Sequence, residues 1–181
     1  MNALTDSIAA EESRLPSTDN IQVHQCILDG VDALHLVDLP GLDADDNREQ
    51  QLLEQVTNSD LVIWMLKANQ PARSLDVQFQ SKLDEYYAKS ENRSRKRAAI
   101  IGVLNQVDRL KPVGEWDPPY SLNNSSEEKA KNITDSMKYH HELLALDSMV
   151  PLSISDDKAA FNLSSLKSLI DRIMTTAHRL S

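Results

Sequence analysis

One cysteine in 181 residues, Cys26, excludes an internal disulfide and any cysteine-built metal centre, and it fits a reducing compartment. Glycine is scarce as well. None of Gly30, Gly41, Gly102 and Gly114 is followed by Lys and then Ser or Thr, so the sequence holds no G-x-x-x-x-G-K-S/T loop, whose backbone N–H groups and lysine grip phosphates. The longest apolar runs, Leu61 to Leu66 and Ala98 to Leu104, fall far short of the roughly 20 residues a membrane-spanning helix needs. Positive charge is in deficit: 19 Lys and Arg stand against 28 Asp and Glu, a net charge of −9 with pI ≈ 5.0. Binding of nucleic acid by counterion release needs clustered cations, so no DNA partner is expected and RNA contact is not indicated. The N-terminal stretch, with Asp6, Glu11 and Glu12, lacks the positive region and apolar core of a signal peptide, and a cytoplasmic location is the expectation.

The sequence does have enough apolar matter, 40% of its residues, for one well-buried core, and a single domain over residues 1–181 is expected. Ile21 to Leu28 partly alternate apolar and polar, Asp29-Gly30 signals a turn, and Ala33 to Val37 follows, which predicts a hairpin whose first strand tolerates a polar face near a sheet edge. Leu52, Leu53 and Val56 predict a helix ending near Asn58-Ser59-Asp60. Leu61-Val62-Ile63-Trp64-Met65-Leu66 reads as a strand buried on both faces, and so does Ala98 to Leu104. Leu75, Phe79 and Leu83 set a second helix. Ser125-x-x-Glu128 has the form of a capping box opening a third, which carries Ile133, Met137 and Leu144. Val150 to Ile154 reads as a last strand, and Leu166, Leu169, Ile170, Ile173, Ala177 and Leu180 mark a C-terminal amphipathic helix. Buried strands alternating with helices imply an α/β fold, a mostly parallel sheet covered on both sides, with ligands at the carboxyl ends of the strands.

The chemically suggestive residues fall at those strand ends. Asp38-Leu39-Pro40-Gly41 follows the second strand: an aspartate there can hold magnesium through a water, and a glycine lets its N–H approach a terminal phosphate. The same four residues are also a common turn. Asn105-Gln106-Val107-Asp108 ends the strand from Ala98, and a carboxylate at that point can accept from both the ring N–H and the amino group of guanine. Its plainer reading is a loop with an Asx turn and a helix cap. Ser153-Ile154-Ser155 can offer backbone N–H groups to the guanine carbonyl. The order is informative, since three loops of the right type succeed one another with roughly 65 and 45 residues between them.

With these motifs the chain resembles the translation-factor-related class of small GTPases, Asp38 to Gly41 standing for switch II, Asn105 to Asp108 for the base motif and Ser153 to Ser155 for the last motif. It looks most like the Era-like bacterial GTPases, including the group of prophages and mobile elements. The resemblance implies a three-layer P-loop-NTPase-type G domain, with GTP or GDP and Mg2+ as ligands. It assigns guanine contacts to Asn105, Asp108, Ser153, Ile154 and Ser155, a phosphate contact to Gly41, and magnesium to Asp38 and to Thr18 at the switch I position. Gln106 replaces the family's usual lysine. Leu42 stands where many signalling GTPases keep a water-positioning glutamine, which implies slow or partner-assisted hydrolysis. The family's first strand and phosphate loop have no counterpart, so Met1 is expected inside the first helix of an N-terminally incomplete domain, with hydrolysis only where such a loop lies upstream. A nucleotide-free remnant acting as a protein-interaction module is the alternative, with an unidentified protein partner.

Other features read more plainly. His140 and His141 point about 100° apart on a helix and suggest a solvated face rather than a metal site. Arg93, Arg95, Lys96 and Arg97 form a charged loop before a buried strand. Asp43, Asp45 and Asp46 make the segment after Gly41 anionic, and Trp116-Asp117-Pro118-Pro119-Tyr120 reads as a surface insertion.

Overall fold

Elements follow one another in the computed structural model as β1 (Gln22–Leu28), β2 (Val31–Asp38), α1 (Asp46–Thr57), β3 (Leu61–Lys67), α2 (Ser74–Ala88), β4 (Ala99–Asn105), α3 (Glu127–Leu143), β5 (Ser148–Pro151) and α4 (Leu163–Arg179). The structure describes residues 21–28, 31–42, 46–113, 122–154 and 161–179. β1 and β2 form the expected antiparallel hairpin, with Gln22 opposite Asp38 and Leu28 opposite Val31. β3, β4 and β5 form a parallel sheet in that order, Leu61 opposite Ala99 and Ile101 opposite Ser148. Among the described residues the hairpin and the parallel sheet are separate.

Alternation along β4 divides the core. Ile100 and Leu104 face a cluster with Leu52 and Val56 of α1, Phe79 and Leu83 of α2 and Ile133 of α3. Ile101 and Val103 face the opposite cluster, built on Leu166, Ile170 and Met174 of α4, against which Leu34 of β2 also packs. Helices therefore lie on both faces of the sheet, and the fold is the three-layer α/β arrangement expected of a G domain. A parallel sheet needs cover on both sides because its strands carry apolar residues on both.

Four local expectations need correction. β3 is half-buried along Leu61 to Trp64, and Met65 is 54% exposed, so it is not covered on both faces; among the described residues it lies at the edge of the sheet while β4 takes the centre. The cap of α3 is Ser126, whose hydroxyl accepts from the Lys129 N–H, whereas the Ser125 hydroxyl donates to the Leu122 carbonyl. β5 begins two residues before Val150 and ends at Pro151; the Leu152 N–H makes a last bond to the Leu104 carbonyl, and Ser153 pairs instead with Phe161. His140 is buried, at 2% exposed, with Nδ1 2.7 Å from the Ser136 carbonyl, so the solvated-face reading suits His141 alone. The charged loop has partners on α2: Arg97 bridges to Asp84 at 3.0 Å and lies over the Tyr87 ring, and Arg95 meets Tyr86. Thr18, Asp43, Asp45, the segment Trp116 to Tyr120, Ser155 and Leu180 lie outside the described residues.

Candidate functional site

Because β3, β4 and β5 run the same way, the segments after Lys67, Asn105 and Pro151 emerge along one edge of the sheet. Backbone bonds lace them together. The Ala68 N–H donates to the Asn105 carbonyl at 2.8 Å, the Leu152 N–H to the Leu104 carbonyl at 2.8 Å, and the Val107 N–H to the Leu152 carbonyl at 3.2 Å. Val107 is fully buried and pins the single 3-10 turn Val107–Arg109 to the core.

The chain enters that turn through Gln106, which adopts the left-handed conformation at φ 62° and ψ 38°. A non-glycine residue there costs roughly 1 kcal/mol, so something must hold it. The Gln106 N–H donates to Asn105 Oδ1 at 2.8 Å. Asn105 thus braces the bend that delivers Asp108, which is the plainer role its type allows. Asp108 in turn is reached from β5: the Ser153 hydroxyl donates to its Oδ1 at 2.7 Å, joining residues 45 apart. A carboxylate has about four acceptor positions, so this bond leaves capacity for further donors.

Ser153 is itself 1% exposed and forms an isolated antiparallel bridge with Phe161. Its N–H donates to the Phe161 carbonyl at 3.4 Å, so the backbone donor expected to face a guanine carbonyl is already engaged, and its hydroxyl is the part that reaches Asp108. Ile154, at 43% exposed, stands at the surface.

Below the turn lies Lys129, which the sequence reading passed over. Its side chain is fully buried, and Nζ donates to the carbonyls of Asp108 at 2.7 Å, Leu110 at 2.5 Å and Pro112 at 3.4 Å. One turn along α3, Asn132 Nδ2 donates to the Lys111 carbonyl at 2.9 Å. Apolar periodicity cannot find such a residue; the only signal was a lysine three positions after a capping serine.

Asp38 ends β2, and the residues after it are drawn to the same core: Pro40 is buried, and Leu39 and Leu42 pack against the cluster that holds Val107 and Ala68. Gly41 is exposed, a Cβ added there would meet nothing within 4 Å, and its φ is not in the left-handed range. Among the described residues nothing in the packing asks for glycine at 41. Among the described residues no three His, Cys, Asp or Glu side chains gather into a cation site. A magnesium ion held through Asp38 would take its remaining ligands from phosphate oxygens and waters, which is how that ion is commonly held. Two shallow concavities lie elsewhere, one along α4 at Ser164, Ser165, Ser168, Leu169 and Arg172, the other between α1 and α2 near Thr57, Asn58, Tyr86 and Arg95. No helix of the described residues is long and apolar enough to cross a membrane.

Residues 1–107 match the family model of the Dynamin family, more than half of the chain. The matched stretch includes the Asp38 loop and Asn105 and ends one residue before Asp108. No curated protein matches the chain.

Proposed function

The chain belongs to the dynamin family, whose G domain is a GTP-binding domain, and from that premise we propose that it is the base-reading and γ-phosphate-sensing part of such a domain. The observation that carries the proposal is the Ser153 to Asp108 bond, which aims a carboxylate across the ends of two adjacent parallel strands. In this reading Asp108 accepts from the guanine ring N–H and amino group, with Asn105 bracing the bend and Ser153, Ile154 and Ser155 closing the other side. Gly41 admits a terminal phosphate, and Asp38, with Thr18, contributes to Mg2+. The resemblance to Era-like bacterial GTPases rests on the three loops alone; the family match places the chain among dynamin-type G domains without reaching that subgroup.

The sequence has no G-x-x-x-x-G-K-S/T loop, which supplies most phosphate contacts in this fold, so GTP hydrolysis is proposed only where such a loop is supplied. That same fact favours a second reading, a nucleotide-free member of the family acting as a protein-interaction module. Cytoplasmic location and a protein partner belong to the proposal too.

Titration separates these readings. Labelled GDP with Mg2+ should show no tight binding to this chain, and a micromolar or better affinity would overturn the account of the phosphate side. Guanosine at millimolar concentration should move the backbone NMR signals of Gln106, Asp108 and Ile154, and adenosine should not. Asp108→Asn should shift the preference from guanosine toward xanthosine, because the amide donates where the carboxylate accepts. Equal response to all three nucleosides would leave the interaction-module reading in place.

A further inference from the structure

We infer that Lys129 is a positioning residue for guanine selectivity, an ammonium that fixes the backbone of the base-reading turn from beneath; the inference rests on the base-reading role of Asp108. The case begins with its place in α3. Ser126 caps the helix through the Lys129 N–H, so Lys129 sits in the first turn, where the helix dipole is positive and a cation is unfavourable. Burial adds a desolvation cost, since a lysine is rarely fully enclosed without compensation. Helix stability cannot be the reason for lysine here. The compensation is visible in the three carbonyls, of Asp108, Leu110 and Pro112, that converge on Nζ.

Those carbonyls belong to the segment that needs help. A single 3-10 turn, entered through a left-handed Gln106, has few bonds of its own: Arg109 N–H to the Gln106 carbonyl and Leu110 N–H to the Val107 carbonyl. Reading a base edge requires a carboxylate held to within a fraction of an ångström. Asp108 meets that need from two sides, its carboxylate held by Ser153 of the β5 loop and its carbonyl by Lys129 of α3. Asn132 adds a hold on Lys111 between them. α3 thus acts on the base-reading loop as a template, through Lys129 and Asn132.

The test compares Lys129→Met, which keeps the stem and loses the ammonium, with Lys131→Met, a neighbour whose side chain is 72% exposed and which faces Asp135. Guanosine and adenosine are titrated into each chain by NMR. The wild-type and Lys131→Met chains should prefer guanosine, and Lys129→Met should lose that preference by roughly tenfold, the worth of one lost hydrogen bond. Amide exchange of Arg109 and Leu110 should quicken in Lys129→Met alone. If the wild-type chain does not distinguish the nucleosides, the base-reading role falls and the inference with it. If it does and Lys129→Met distinguishes them equally well, only the inference falls. Should Lys129→Met fail to fold, the ammonium signal of Lys129 in the lysine-labelled wild-type chain decides: a shift on adding guanosine supports the coupling, and an unmoved signal while Asp108 responds overturns it.

Discussion

Gly102 shows how little room a single position leaves. It sits in the middle of β4, and a Cβ built there would come within 2.2 Å of Met149 Sδ and 2.5 Å of Leu146 Cδ1. Both neighbours are flexible side chains, so an alanine forces rearrangement rather than unfolding. Gly102→Ala should cost about 1–3 kcal/mol by urea denaturation, with valine costing more. Met149→Ala in the same chain should return part of that loss, since the two sites share the space. Additive losses would mean that the sulfur does not oppose the added carbon. Asp76 is the other residue on which much converges: it accepts from the Arg73 N–H at 2.8 Å and from the Trp64 indole at 3.4 Å while only 4% exposed.

At the level of elements, α3 offers a direct comparison of neighbouring serines. Ser126→Ala removes the cap bond to the Lys129 N–H and should cost about 1 kcal/mol in thermal unfolding. Ser125→Ala loses only a hydroxyl bond to the Leu122 carbonyl and should cost about 0.5 kcal/mol or less. The reverse order would return the cap to Ser125. The error of one residue is instructive, because Ser125-x-x-Glu128 has the capping-box form while Ser126 is followed three residues on by Lys129, and yet it is the Ser126 hydroxyl that accepts from the first turn of the helix. Among the described residues the five strands, two of them the hairpin, and the four α-helices were legible because each carries an apolar period or a turn signal. Lys129, Asp76 and Phe161 were not, since each matters through a partner that no apolar period marks: the carbonyls of Asp108, Leu110 and Pro112 for Lys129, the Arg73 N–H and Trp64 indole for Asp76, and Ser153 for Phe161. Asn105 to Asp108 and Ser153 to Ser155 stood out in the sequence as residue types in order, but the hold of Ser153 on Asp108 and the engagement of the Ser153 N–H by Phe161 depend on how the segment after β5 packs.

At the scale of the molecule, the parallel sheet of the described residues has a protected centre and an apolar margin. Within β4, Ile101, Val103 and Leu104 are wholly buried, while β3 carries Leu61 to Trp64 half-covered and Met65 in solvent. Apolar strand margins favour pairing between chains unless a charge interrupts them. Sedimentation at increasing concentration should reveal weak self-association that Met65→Lys reduces, with the melting temperature little changed because the side chain is exposed. Self-association unchanged in Met65→Lys would mean the contact lies on another face. The short final strand has a consequence for how the chain is made. Synthesis completes β4 well before Ser148–Pro151 emerges, so the most apolar strand waits with one side unpaired until four late residues reach it. Until then neither the bond from Leu152 to Leu104 nor that from Ser153 to Asp108 can form, and the 3-10 turn that carries Asp108 is among the last parts of the molecule to take shape.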